Sequence, residues 1–113
     1  MKKARVVLSQ EAEEAYEQLK ENAESSKVAR SILNAIDNKK ELIKANFQYG
    51  EPIAKNKIPA EYIAKYGITN LFWVGLPDFW RMVYTVTSEG DELVAFVLGI
   101  TDHGKYDKKF GYR

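Results

Sequence analysis

Three side chains in the last third of this 113-residue chain, Arg81, His103 and Tyr106, are of types that can act on a phosphodiester. A guanidinium stays protonated and grips phosphate through two parallel N–H donors. An imidazole near neutral pKa can accept or donate a proton in phosphoryl transfer. Arg81 stands in Trp80-Arg81-Met82-Val83-Tyr84, and His103, the single histidine of the chain, in Asp102-His103-Gly104-Lys105-Tyr106. Residue type alone leaves an alternative open for each: Arg81 paired with a carboxylate such as Asp78 or Asp102, and His103 as a surface or capping residue. Downstream, Lys105, Lys108, Lys109 and Arg113 alternate with Tyr106, Phe110 and Tyr112. Rings beside cations suit stacking on exposed bases and neutralising their phosphates. The other reading is a solvated C-terminal tail whose aromatics tuck back onto a sheet. Lys55 and Lys57 sit in an upstream loop, either as solubilising charges or facing a nucleic acid.

The elements that must position these residues follow from patterning. Ala4 to Leu8 is a short β-branched run that predicts a first strand, and Ser9 is a natural N-cap for the helix behind it. Ala12, Tyr16, Leu19 and Ala23 then share one helical face. After a break at Glu24-Ser25-Ser26, a second helix carrying Val28, Ile32, Leu33, Ile36, Leu42 and Ile43 runs to about Ala45. The short connection predicts an antiparallel helical hairpin, with the acidic first helix against the more basic second. Residues 46–58 read as loop. Pro59 and Gly67 bracket a short helix, and 68–75 reads as a strand.

In the next strand, alternation puts Trp80, Met82, Tyr84 and Val86 on one face and Arg81, Val83, Thr85 and Thr87 on the other. Arg81 would then lie on an open sheet face if the helices cover the opposite one. Gly90 supplies a hairpin turn, and the nearly continuous apolar run from Leu93 to Ile100 predicts a strand buried on both faces near the sheet centre. The expected fold is α+β in the order β-α-α-β-β-β, a small antiparallel-rich sheet with a helical hairpin on one face.

Composition narrows the function classes. At 45% hydrophobic and 29% charged, the chain is set apart from disordered and fibrous classes and fits one domain over residues 1–113. No apolar run approaches the roughly 18–20 residues of a membrane span, no signal-peptide pattern opens the chain, and a cytoplasmic location is expected. With no cysteine and one histidine, neither a disulfide framework nor a thiolate metal site can form, and no metal or cofactor is expected. Nucleotide and serine hydrolases are set aside because no Gly-rich phosphate loop or G-x-S-x-G elbow is present. Formal charge is +1 overall, yet residues 10–24 carry −5, so the remainder carries +6 and can present a basic surface.

Taken together, the element order, the Arg81–Tyr84 strand, Phe96-Val97-Leu98-Gly99-Ile100 and the closing Asp102-His103-Gly104-Lys105-Tyr106 resemble the RelE/ParE superfamily of toxins, from bacterial and archaeal toxin–antitoxin pairs. In that superfamily an Arg-hydrophobic-hydrophobic-Tyr strand precedes a hydrophobic strand ending in a basic or histidine-containing motif closed by tyrosine. The likeness in order covers nearly the whole chain, and the likeness in motif covers residues 71–112. It implies a ribosome-dependent endoribonuclease, an mRNA interferase that cuts in the A site with the substrate's own 2′-OH as nucleophile. On that resemblance Arg81 stabilises the phosphorane-like transition state. His103 protonates the leaving 5′-oxygen or deprotonates the 2′-OH, and Tyr106, or else Tyr112, stacks on a base or aids proton transfer. Lys55, Lys57, Lys105, Lys108, Lys109 and Tyr112 would contact RNA. An antitoxin protein, the ribosome and mRNA are the implied partners, the antitoxin laid across the sheet and basic face. In the strand before Arg81, Leu71-Phe72-Trp73-Val74 is apolar where many active members carry lysines, and the chain is nearly neutral where they are strongly basic. Both departures fit a constellation built on His103, or a member that binds without cutting, the class to which the gyrase-inhibiting ParE branch belongs.

Overall fold

Ser9 is the joint from which the architecture grows. The computed structural model describes residues 3–111, and in it the first strand, β1 (Lys3–Leu8), gives way at Ser9 to helix α1 (Gln10–Asn22). The Ser9 hydroxyl accepts from the Ala12 amide at 3.1 Å and donates to the Leu98 carbonyl at 2.9 Å. Its own amide donates to the Val97 carbonyl at 2.8 Å. One buried serine thus ends a strand, caps a helix and ties both to the far end of the chain. Ser26 caps α2 (Lys27–Ala45) in the same way, accepting from Ala29 at 3.1 Å.

The remaining elements are the two-residue β2 (Glu51–Pro52), α3 (Ala60–Tyr66), β3 (Phe72–Gly75), β4 (Arg81–Glu89), β5 (Glu92–Thr101) and α4 (His103–Phe110). Single 3-10 turns occupy Lys55–Lys57 and Pro77–Phe79. The five strands form one open mixed sheet in the order β1-β5-β4-β3-β2, β1 lying parallel to β5 and the other pairs antiparallel. Together with four helices this makes a mixed α+β fold. β5 is the inner strand next to β1, as its apolar run predicts. Glu89 pairs with Glu92 across Gly90-Asp91, and Gly90 supplies the positive φ of 57° that this two-residue turn needs.

On one face, α1 and α2 bring Ala12, Leu19, Ala29, Ile32, Ile36 and Ile43 down onto Met82, Tyr84, Ala95, Val97 and Ile100. The predicted alternation of β4 holds, with Met82 and Tyr84 on this side and Val83 on the other. Val28 and Leu42 turn outward, 50% and 37% exposed, so the apolar stripe of α2 is narrower than its sequence suggests. No ion pair joins α1 to α2 among the described residues. Instead the Tyr16 hydroxyl donates to Asp37 at 2.7 Å, and Lys40 Nζ stands 5.6 Å from the Tyr16 ring centre. The Tyr84 hydroxyl, deep in this core, donates to the Phe47 carbonyl and accepts from the Gly50 amide, both at 2.9 Å.

The other face is not open. Ile58, Tyr62, Leu71, Val83, Leu98 and Tyr106 form a second buried cluster there, with Tyr66, Trp73, Phe96 and Phe110 packed around it. The expected C-terminal tail is the helix α4, capped by Asp102, whose carboxylate accepts from the Lys105 amide at 2.9 Å. Two further differences shape this face. The strand expected over 68–75 forms only from Phe72, because the Asn70 side chain takes the ladder position of a peptide group. Its amide nitrogen donates to the Val86 carbonyl at 3.0 Å, and its oxygen accepts from the Val86 amide at 2.8 Å. In β5 the register slips, Val83 pairing with Gly99 and Tyr84 with Val97. This bulge turns Leu98 and Gly99 toward the same face, and a Cβ on Gly99 would lie 2.7 Å from the Tyr62 hydroxyl.

Candidate functional site

Arg81 opens β4, paired with Thr101 at the end of β5 and Gly75 at the end of β3. Its side chain leans diagonally over β3, the guanidinium carbon 4.2 Å from the Trp73 ring centre and 4.8 Å from that of Tyr106. Each contact is of the cation–π kind, worth about 0.5–2 kcal/mol depending on desolvation. Among the described residues Arg81 makes no ion pair. Of the two carboxylates considered as partners, Asp102 is occupied as the cap of α4. Rings engage the guanidinium here, and no carboxylate of the described residues pairs with it.

His103 is the first residue of α4, its side chain 62% exposed. The group beside it is Asp107 rather than adjacent Asp102, with Nε2 3.1 Å from the Asp107 carboxylate. The helix explains this, since residues four apart share a face and neighbours do not. The His103 ring centre also lies 6.0 Å from that of Phe79.

Tyr106 is buried at 3% exposure, its ring stacked on Phe110 at 4.4 Å. It lies against Arg81 inside the second core and not at the surface where a base would stack. Lys109 is also drawn inward. Its ammonium is 3.4 Å from Glu11 and 3.6 Å from Glu61, 3.3 Å from the Tyr62 hydroxyl and 4.7 Å from the Tyr62 ring centre. Burial, then the charges of Glu11 and Glu61, push the Tyr62 hydroxyl well above its ordinary pKa. Lys105 and Lys108 stay exposed on α4, and Lys55 and Lys57 stay exposed on the 3-10 turn that leads into α3. Tyr112 lies outside the described residues.

No family model, curated protein or solved structure matches this chain. The site therefore stands on its own geometry. Structure brings Arg81, His103 and Tyr106 to one end of the sheet and adds two aromatics that the sequence argument passed over. Trp73 holds the guanidinium. Phe79, 77% exposed, stands beside His103. Trp73 could be placed only once the β3–β4 register was fixed, since only then do residues two apart along paired strands reach each other diagonally. A cleft of about 720 Å³ also opens between α1 and α4, with Glu14 and Gln18 on one wall, Lys105 and Lys108 on the other, and Trp80 and Ile100 among its lining. Among the described residues no group of three or more acidic or histidine side chains gathers that could hold a metal ion. What remains is a ring-held guanidinium and an exposed imidazole at the same end of the sheet, groups of the kinds that stabilise charge and transfer protons in the cleavage of an anionic ester.

Proposed function

We propose that the chain is the toxin of a type II toxin–antitoxin pair, a RelE-like endoribonuclease that cleaves mRNA on the ribosome. The observation that carries this reading is Arg81, a guanidinium oriented by two rings and left without a carboxylate partner among the described residues. The helical hairpin on one face and the Arg81 strand leading into β5 and His103 support it as well. In the reaction the 2′-oxygen of a ribose attacks the adjacent phosphorus, and the bond to the 5′-oxygen breaks. The 2′-proton passes to a base, the leaving 5′-oxygen gains a proton, and a 2′,3′-cyclic phosphate remains. Arg81 would meet the charge that grows on the non-bridging oxygens. His103, one nitrogen held by Asp107, would exchange a proton through the other.

A second reading, a relative that binds RNA or protein without cutting, is favoured by one observation: Tyr106, the closing tyrosine, is buried. It includes gyrase inhibition of the ParE kind. The antitoxin, the ribosome and mRNA are the proposed partners of the first reading. Primer extension on programmed ribosomes separates the two, comparing wild type with Arg81→Lys, Arg81→Ala and His103→Gln. The nuclease reading expects A-site cuts that fall about 100-fold or more in His103→Gln, the scale of losing a general acid–base group. Absence of cutting by folded wild-type protein transfers the assignment to the binding-only reading.

A further inference from the structure

Phe79 has no part in holding the fold together. It belongs to neither buried cluster and is 77% exposed, the most exposed large apolar side chain among the described residues. Its backbone is nevertheless strained. Asp78 and Phe79 have φ of 59° and 62°, the only non-glycine residues described with positive φ. A bulky residue in that region is a true outlier, and such strain persists where the surroundings enforce it. The surroundings here are a tight corner between β3 and β4, closed by the Leu76 amide on the Trp80 carbonyl at 2.8 Å and the Trp80 amide on the Pro77 carbonyl at 3.3 Å. Leu76 and Trp80 anchor both ends of the corner in the first core. Between these anchors the chain presents a benzyl ring to water.

The ring is not isolated. The His103 ring centre is 6.0 Å away, with the two planes tilted by 54°. Arg81 begins its strand two residues after Phe79, and exposed Lys105 and Lys108 follow His103 on α4. An apolar ring paired with an imidazole, at the end of the sheet where β4 begins with Arg81 and α4 carries Lys105 and Lys108, matches an unpaired nucleobase on its charged backbone. Every base offers a π-face, and its phosphates seek cations. A purely apolar partner would leave the cations unmatched.

We propose that Phe79 and His103 form a stacking site for one unpaired nucleobase of single-stranded RNA, placing the neighbouring phosphate toward Arg81. This deepens the nuclease reading and rests on it for the identity of the ligand, but it makes a separate claim about binding. Phe79 is a binding and positioning residue, since no bond is made or broken at it.

The test is fluorescence-anisotropy binding of a labelled, unstructured RNA decamer to wild type, Phe79→Ala and Phe79→Trp, run beside the ribosome cleavage assay. Stacking predicts affinity roughly 5- to 100-fold weaker in Phe79→Ala, with recovery in Phe79→Trp. Circular dichroism and melting should show the Phe79→Ala protein folded, because the side chain has no core contacts to lose. Equal RNA affinity in wild type and Phe79→Ala overturns the stacking site, and the nuclease reading survives if both proteins still cut. Phe79-dependent binding without cutting upholds the stacking site and removes the nuclease. If wild type neither binds the decamer nor cuts mRNA, both fall, as they would if the ring met only a protein partner.

Discussion

The two faces of the sheet solve the same burial problem with different materials. The α1/α2 face is largely aliphatic, with Ile32, Ile36 and Ile43 almost fully buried over Met82, Val97 and Ala95. The α3/α4 face is largely aromatic, with Tyr62, Tyr66, Trp73, Phe96, Tyr106 and Phe110. Aliphatic side chains interdigitate and have no polar end to satisfy, so the first face chiefly packs, its hydroxyl contacts falling to tyrosines such as Tyr84 and Tyr16. Rings carry a quadrupole and, in tyrosine, a hydroxyl. The second face can therefore hold Arg81 against Trp73 and Tyr106, and Lys109 against Tyr62. Both sides bury apolar surface, and the aromatic side also holds the inward-drawn cations Arg81 and Lys109.

The contrast breaks most sharply by deleting aliphatic volume. Ile36→Ala, at a position fully buried between helix and sheet, should cost about 2–5 kcal/mol in denaturant unfolding and leave activity per folded molecule unchanged. Next come the glycines that let each face close. A methyl group on Gly50 would lie 2.9 Å from the Trp73 carbonyl oxygen and 3.0 Å from the Tyr84 ring, and on Gly99 it would lie 2.7 Å from the Tyr62 hydroxyl. Both alanine substitutions should destabilise by about 1–3 kcal/mol. Only Gly99→Ala should also disturb Lys109, visible as a shift of its ammonium resonances by NMR. Arg81→Ala should cost about 1 kcal/mol of stability or somewhat more, the summed worth of its two ring contacts, and on the proposed nuclease reading should abolish RNA cleavage.

The smallest effect is alkaline. Burial, followed by its hydrogen bond to Asp37, raises the Tyr16 hydroxyl to about 12. The folded state thus prefers the neutral hydroxyl. That contribution is full below about 10, where unfolded tyrosine begins to ionise, and is lost as pH rises through about 12. Tyr62 shifts in the same direction. Melting temperature should decline above pH 10, and less steeply in Tyr16→Phe than in wild type.

Local chemistry made the first face legible in advance. Ser9 and Ser26 cap as serines do, Gly90 takes positive φ, and β4 alternates as predicted. The second face was harder to read: α3, bracketed by Pro59 and Gly67, was legible locally, but much of the rest depends on a distant partner. Asn70 ends a strand prediction by imitating a peptide toward Val86, which requires β4 to be in place. The β5 bulge hides inside an unbroken apolar run that has no period to interrupt. α4 reads as a polar tail, although Asp102 was a ready cap and Tyr106 and Phe110 stand four apart. The candidate site shows the same division. Arg81 and His103 stood out by type, whereas Trp73 and Phe79 gained meaning only from what they touch.

The Ser9 joint also has a consequence for how the protein comes into being. Its hydroxyl reaches a carbonyl 89 residues further along the chain, and β1 pairs with no strand other than β5 among the described residues. During synthesis the first strand must wait, unpaired, until β5 has left the ribosome. Such late, long-range closure slows folding and keeps a β-branched edge exposed in the meantime. The nascent chain therefore cannot complete its sheet, or fix α4 behind β5, before residues 92–101 have been translated and have emerged.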